Sequence, residues 1–518
     1  MPNDKPKMEE TNRILVKLRP TGASALRAAE SRAQLRPLHE GQEQQAQAAG
    51  FGLDSATPRW FLAEMPDGAA TPWDLAHARV ADQLGVSESD VLFAEPDLVH
   101  AVFDDDGKPV SFFRDTNEAE LSRGLAAGDM CEAKPQDGGH GKKLGPDKFA
   151  WHLDDEYTQL GSAREAVKFA EPRTRIAHLD TGYYRAHATA PEFVARPLER
   201  SFVEGEENRQ SAEDPDNNVF LIDNSGHGTG TIGILAGKAL SPGGTRLGGA
   251  PDAEVLPLRV TDRVVLLRTS SLAQAIRYAT DQRCDVITMS LGGVPTRAWA
   301  EEVDRAYEAG VVVCAAAGNH IGFSPPRTLV YPARYPRVLA VCGVMADGTP
   351  YTGLKGFSTL EGSFGPDAAM TKAVASYTPN IPWPLYMCPD VIRLNGEGTS
   401  AATPQVAAAV ALWLERYKNE LPPRDWRRGE AARNAIFSST KMRGDKTHFG
   451  NGVLQARRAL DVKPALGLPK SANSENSIPI LRLVTGLGIA QIPPREEMFN
   501  QEFAQRWLLN DELQELLP

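Results

Sequence analysis

Three polar side chains in the 518-residue chain could together hydrolyse an acyl bond: Asp180 in "LDTG" (179–182), His227 in "NSGHGTGTIGILAG" (224–237) and Ser400 in "NGEGTSAATPQVAAAVALWL" (395–414). An Asp-Thr-Gly turn after an apolar strand admits three chemistries. Two such carboxylates can share a proton and activate water, one can orient the histidine of a serine protease, and the turn can simply cap its own backbone. The first reading needs a second Asp-Thr/Ser-Gly turn, and the sequence contains none. A serine hydroxyl is too weak an acid to attack a carbonyl unaided. His227 would take its proton and return it to the leaving amine, while Asp180 holds the imidazole in the useful tautomer. The Gly-x-Ser-x-Gly elbow of esterases and the His-Glu-x-x-His of zinc peptidases are both missing.

Such residues must be held at the ends of rigid elements. "RIAHLD" (175–180), "AEVLPLRV" (253–260), "CDVITMSLGG" (284–293), "GVVVCAAAGN" (310–319) and "RVLAVCGV" (337–344) read as strands apolar on both faces, the pattern of a buried parallel sheet. Between them, 270–283 and 297–310 have helical spacing. The alternation predicts an α/β domain with helices on both faces of a parallel sheet, its functional residues at the carboxyl ends of the strands. His227 and Ser400 each open a helix. Gly228 and Gly230 allow other backbone close to the first, and Pro404 is expected in the opening turn of the second.

"DTG", "HGTG", "AAAGN" and "GTSAATP", in this order and spacing, resemble the subtilisin-like serine proteases over roughly residues 145–465, and "FGNGVLQARRAL" (449–460) looks like that family's closing segment. The resemblance implies a serine endopeptidase working through an acyl-enzyme with Asp180, His227 and Ser400, and makes Asn319 the side-chain donor to the oxyanion. It also implies that Ser290, Leu291, Gly292 and Gly293 pair with an extended substrate, and that Leu291, Gly292, Ala315, Ala316, Ala317 and Gly318 line the primary pocket. Gly230 and Ala401 depart from commoner family residues. No cofactor is needed. Calcium is common in the family, but "EDPDNN" (213–218) has no EF-hand spacing and reads as a solvated acidic loop.

Residues 12–103 form a separate small α+β unit that resembles the family's inhibitory propeptide, which makes this unit an intramolecular inhibitor of a protein- or peptide-cleaving enzyme. Residues 104–144 read as a linker, 145–465 as the catalytic domain, and 466–518 as an extension. In that extension Phe499, Phe503, Trp507, Leu509, Leu513 and Leu516 mark an amphipathic helix that packs on its own protein. The net charge of −11, with no long basic block, argues against nucleic acid as a partner. No stretch has the length and apolarity of a membrane span or a secretory signal, which points to the cytoplasm. The five cysteines lack metal spacing and read as reduced thiols. The competing reading is a catalytically silent binding or regulatory protein on the same fold.

Overall fold

A computed structural model describes residues 12–19, 35–39, 58–65, 72–78, 80–100, 102–103, 109–110, 149–206, 209–215, 226–264, 267–321, 328–351, 360–474 and 494–508. In the N-terminal unit, strands Arg13–Leu18 (β1), Arg36–Pro37 (β2), Arg59–Glu64 (β3) and Val91–Pro96 (β4) make an antiparallel sheet in the order β2-β3-β1-β4. Helices Pro72–Ala78 (α1) and Val80–Leu84 (α2) follow β3, with residue 79 outside the described residues. Both side-chain parities of β1 are buried, Ile14 and Val16 on one face and Leu15 on the other, because the sheet is covered on both sides. Two short strands, Val102–Phe103 (β5) and Pro109–Val110 (β6), pair with each other beyond it.

The large unit is a seven-stranded, all-parallel sheet. Its strands are Arg175–Asp180 (β7), Arg200–Ser201 (β8), Glu254–Arg259 (β9), Val286–Met289 (β10), Val312–Ala316 (β11), Val338–Val344 (β13) and Ala373–Tyr377 (β15), in the order β15-β13-β11-β10-β7-β9-β8. Asn319–Ile321 (β12) pairs with Leu360–Gly362 (β14), and Ile381–Pro384 (β16) with Ile392–Gly396 (β17). Alternate strand residues feed two cores. Ile287 and Met289 join one that includes Leu272, Ile276, Trp299 and Val303, while Val286, Val312 and Cys314 join another with Val406, Val410 and Ile436. One core belongs to helices Thr269–Asp281 and Arg297–Glu308, the other to Gly398–Tyr417 and Trp426–Ser439. In chain order the helices of this unit are Leu160–Glu165 (α3), His227–Ala236 (α4), Thr269–Asp281 (α5), Arg297–Glu308 (α6), Asp367–Met370 (α7), Gly398–Tyr417 (α8), Trp426–Ser439 (α9), Lys446–Phe449 (α10) and Ala456–Ala459 (α11). Because β7, β10 and β11 are neighbours and parallel, Asp180, Ser290 and Asn319 leave the sheet at the same end. No helix among the described residues is long and apolar enough to cross a membrane.

The small sheet rests on α5 and α6, and strand β4 supplies the acceptors that fit their ends. Glu95 accepts the Arg297 and Ala298 N–H groups at 2.8 and 2.9 Å, while Asp97 accepts Ser270 N–H at 2.8 Å and its hydroxyl at 2.9 Å. Two carboxyl groups, two residues apart on one strand and its continuation, therefore satisfy free N–H groups at the starts of two helices, with burial raising Glu95 to about 8 against the pull of those amides. Lys17 and Trp60 both reach Glu301 of α6, at 2.8 and 2.9 Å.

A final helix, Pro494–Leu508 (α12), holds both units. Gln505 donates to Pro295 O at 2.9 Å and accepts from Trp73 Nε1 at 3.0 Å, Glu502 meets His77 at 2.9 Å, and Arg334 lies 5.0 Å from the Trp507 ring centre. The helix packs on its own protein as expected: Trp507 and Phe503 of the predicted stripe meet the core, while Phe499 does not. Met498, Gln501, Ala504, Gln505, Trp507 and Leu508 are buried, and Phe499 is 53% exposed while stacking on His77. Glutamines that bond across a seam can occupy buried positions, so an apolar stripe leaves out Gln501 and Gln505. Leu509, Leu513 and Leu516 lie outside the described residues. A chain ending at Ser474, carried in a Ser400→Ala background, should lose residues 12–103 to limited trypsin digestion at least several-fold faster than the full chain, with the large unit surviving; equal digestion rates would contradict the bridging role of α12.

Candidate active site

Strand β7 delivers Asp180 with no exposed surface into a ring of donors. Its Oδ1 lies 2.7 Å from Nδ1 of His227 and accepts Thr181 N–H at 2.8 Å, and Oδ2 accepts the Thr231 hydroxyl at 3.0 Å. Burial alone would raise the carboxyl. The charge and hydrogen bond of His227, with His178 and the Thr181 amide, hold it below the usual Asp value instead. His178, two residues earlier and on the same face of the strand, touches Thr231 Oγ1 at 2.8 Å. Burial pushes His178 down to about 4, so it is neutral at neutral pH and does not compete with His227 for the carboxylate's charge.

His227 opens α4, and the approach of that helix depends on missing side chains. A Cβ on Gly228 would lie 1.9 Å from Gly182 O, and one on Gly230 would lie 1.9 Å from the Trp383 indole. Gly228 and Gly230 thus do what their small size suggests. Trp383, on β16, stands edge-to-face to the imidazole, with ring centres 5.6 Å apart.

Ser400 sits in the first turn of α8, which begins at Gly398. Pro404 therefore falls in the second turn rather than the opening one, where it withholds an N–H from the Ser400 carbonyl four residues back. That carbonyl accepts the Ser290 hydroxyl at 3.0 Å instead, tying the carboxyl end of β10 to the start of α8. Ser400 is 1% exposed, and its Oγ has no hydrogen-bond partner among the described residues. Asn319 accepts Thr399 N–H through Oδ1 at 2.9 Å, which aligns the amide beside the same helix turn; a Cβ on Gly398 would lie 2.8 Å from Asn319 Nδ2. Gly318, at φ 108°, donates its N–H to Thr399 Oγ1 at 3.2 Å. Ala315, Ala316 and Ala317 are fully buried at the end of β11. Leu291 is buried too, and Gly293 pairs its N–H and C=O with Tyr331 at 2.8 and 3.0 Å, so its main chain is already committed.

Arg259, the last residue of β9 and fully buried, stands behind the Asp180 turn, although in sequence it is only one residue of an apolar strand. Its guanidinium donates to Thr181 O, to Asp214 at 3.2 Å and to Glu206 at 3.2 Å. Asp214 in turn accepts Gly226 N–H at 3.1 Å, one residue before His227. Asp214 is thus no solvated loop acid. It is 3% exposed and raised to about 7 by burial against the opposing pull of Arg259. Cysteine usage also needs correction: Cys284, Cys314 and Cys342 are free and buried, but Cys388 is disulfide-bonded, a pairing that spacing along the chain does not reveal.

The N-terminal unit reaches this region through His100. Its Nδ1 accepts Val294 N–H at 3.2 Å, its Nε2 lies 2.9 Å from Thr269 Oγ1, and its ring centre is 4.3 Å from that of Trp299. A Cβ on Gly293 would collide with it at 2.4 Å.

Comparison with known proteins bears on the family and the fold. The Subtilase family profile matches residues 172–452. Subtilisin DY of Bacillus licheniformis is 29% identical over 296 residues, which cover 57% of this chain and 93% of the relative. Subtilisin E of Bacillus subtilis (strain 168) is 30% identical over 319 residues, covering 60% and 73% respectively. Among solved structures, fervidolysin from Fervidobacterium pennivorans, described as a keratinolytic enzyme related to subtilisin, shares the fold at a TM-score of 0.57 and 18% identity. The match covers 90% of this chain and 62% of that one, less than two thirds of its length.

Breaking a buried ion pair by removing one partner leaves an uncompensated charge and costs about 3–5 kcal/mol. Arg259→Gln in a Ser400→Ala background should therefore lose stability on that scale in urea unfolding, and in the otherwise native chain it should lower kcat more than it raises KM. A stability within about 1 kcal/mol of the parent would show that Arg259 does not hold the turn.

Proposed function

This chain belongs to the subtilase family and is a subtilisin-like serine endopeptidase, and on that footing we propose that Asp180, His227 and Ser400 are its catalytic triad and that its N-terminal unit inhibits it. The observation that carries the first part is the 2.7 Å contact between His227 Nδ1 and an Asp180 with no exposed surface. In this reading His227 Nε2 removes the Ser400 hydroxyl proton as Oγ bonds to the scissile carbonyl carbon. The carbonyl oxygen becomes an anion. Asn319 Nδ2 and the Ser400 backbone N–H at the start of α8 stabilise it, as preorganised donors in a water-poor site do most effectively. Collapse breaks the C–N bond, the proton passes from His227 to the departing amine, and water repeats the cycle on the acyl-enzyme. Asp180 stabilises the imidazolium and remains ionised throughout.

An extended substrate would lie along Ser290–Gly292, since Gly293 is engaged by Tyr331, in a main-chain pairing that accepts many sequences. Ala315–Gly318 would bound the primary pocket with small side chains, leaving room for a sizeable apolar group. No cofactor takes part in these steps. The inhibitory role of residues 12–103 is supported by the carboxylates on α5 and α6 and by His100 over Gly293. The contact described for that segment ends at His100. The cut that would free the enzyme is proposed to fall after Phe103.

Ser400→Ala should abolish labelling by a fluorophosphonate probe, whereas Asn319→Ala should keep the label but lower kcat by about 10²–10³ at nearly unchanged KM, the scale known for losing one oxyanion donor in subtilisin. Labelling of Ser400→Ala at the parental rate would remove the assignment. The second part has its own test. The isolated N-terminal unit, added to enzyme lacking it, should inhibit, and Glu95→Ala with Asp97→Ala should weaken that inhibition at least tenfold, because hydrogen bonds to charged groups contribute roughly 1.5–3 kcal/mol each. An inhibition constant unmoved by both substitutions would rule out helix capping as the source of affinity.

A further inference from the structure

Far from the proposed triad, at the amino ends of β13 and β15, three cationic side chains converge on one cavity. Lys372 immediately precedes β15, Arg334 stands shortly before β13, and Arg433 projects from α9. Between them and residues 468–472 lies a part-open cavity of about 580 Å³, walled in part by Tyr335, Phe437 and Leu468. Lys372 is 6% exposed and donates one N–H to Ala333 O. Among the described residues Arg334 donates to Thr328 Oγ1, at 3.4 Å, and its guanidinium lies 5.9 and 5.0 Å from the Tyr331 and Trp507 ring centres. Among the described residues no carboxylate comes within ion-pair distance of either. Arg433, 5% exposed, pairs with Glu430 at 3.1 Å, yet its buried Nε has no partner among the described residues. Glu430 is the one acid on the cavity wall. Its Oε1 is taken up by Arg433, by Tyr307 OH at 2.7 Å and by Ser471 Oγ at 2.5 Å. Lys470 is paired with Glu308 at 2.7 Å.

Charge pairing points to the kind of ligand. Arg433 is balanced by Glu430 and Lys470 by Glu308, which leaves Lys372 and Arg334 without a carboxylate partner among the described residues, beside a cavity with apolar walls. Burying a cation without a counter-charge costs several kcal/mol, and a single bond to a backbone carbonyl does not offset that cost for the buried Lys372, beside which the partly buried Arg334 adds a second positive charge. We propose that this cavity is a binding site for a phosphate monoester, its dianionic head held by Lys372, Arg334 and the Arg433 Nε, and its organic body lying on Tyr335, Phe437 and Leu468. A head with three acceptor oxygens suits donors arriving from three elements, and Arg is suited to such recognition. A carboxylate supplies only one charge against two. Burial, reinforced by the charges of Arg433 and Arg334, pushes the Lys372 ammonium well below its usual range, so an anion bound beside it is what would hold it protonated.

Phenyl phosphate is the probe, titrated calorimetrically at constant ionic strength into the full chain carrying Ser400→Ala. Saturable binding is expected, with benzoate at least tenfold weaker. Lys372→Met and Arg334→Gln should each weaken phenyl phosphate binding roughly ten- to hundredfold, the loss attached to one charge-assisted contact. Arg334 is only partly buried, unlike Lys372, and keeps the test decisive if Lys372→Met fails to fold. Absence of binding at millimolar phenyl phosphate, or an affinity unchanged in Arg334→Gln, overturns the proposal, as does benzoate binding as tightly as phenyl phosphate.

Discussion

Asp180 must remain an anion with no exposed surface, and much of the large unit can be understood as meeting that condition. Removing a carboxylate from water costs several kcal/mol unless hydrogen bonds and opposite charge replace the solvent. Here a backbone amide, a threonine hydroxyl and an imidazole replace it within 3.0 Å. Bringing the imidazole that close requires α4 to lie almost against the backbone of the Asp180 turn, which only a glycine at 228 permits. The same crowding brings Trp383 over Gly230 and fixes β16 and β17 beside α4, so the strand leading to Ser400 is positioned by packing around the buried acid.

A second buried charge supports the first. Arg259 fills the space behind the turn and reaches Thr181, Glu206 and Asp214, while Asp214 holds the amide that precedes His227. An ion cluster of this kind contributes little stability beyond what an apolar core would give. What it supplies is direction: a planar guanidinium with several donors fixes three loops at once in a way that hydrocarbon packing does not. The loops carrying Asp180 and His227 are therefore registered to one another twice, directly across the hydrogen bond and indirectly through Arg259.

Parallel topology explains why a single short strand can dock the N-terminal sheet. Helices α5 and α6 both return from parallel strands of one sheet, so their positive N-terminal ends emerge on the same side. Glu95 and Asp97, spaced by two residues, meet one end each. The docked sheet thereby exploits partial charges the large unit must display in any case. Helix α12, arriving from the far end of the chain, then touches Trp73 and His77 on one side and Pro295 on the other. The first and last segments of the sequence are thus joined over the same pair of helices.

Local pattern in the sequence sufficed for the central strands, because residues buried on both faces of a parallel sheet leave long apolar runs such as "RIAHLD" and "GVVVCAAAGN". It likewise sufficed to nominate Asp180, His227, Asn319 and Ser400, since glycine-rich turns at strand ends are conspicuous and few residue types can do acyl chemistry. Side chains whose meaning depends on distant partners were not legible. Arg259 looks like a flaw in an apolar strand until Thr181, Glu206 and Asp214 surround it, and His178 passes as strand until Thr231 and Asp180 stand beside it. The burial of Asp214, the disulfide at Cys388, the place of Pro404 within its helix and the glutamine face of α12 were decided only by tertiary structure. The physical reason is common to all of them: a polar group's cost or benefit is set by what replaces its water, and for these residues the replacement comes from parts of the chain that the local sequence does not contain.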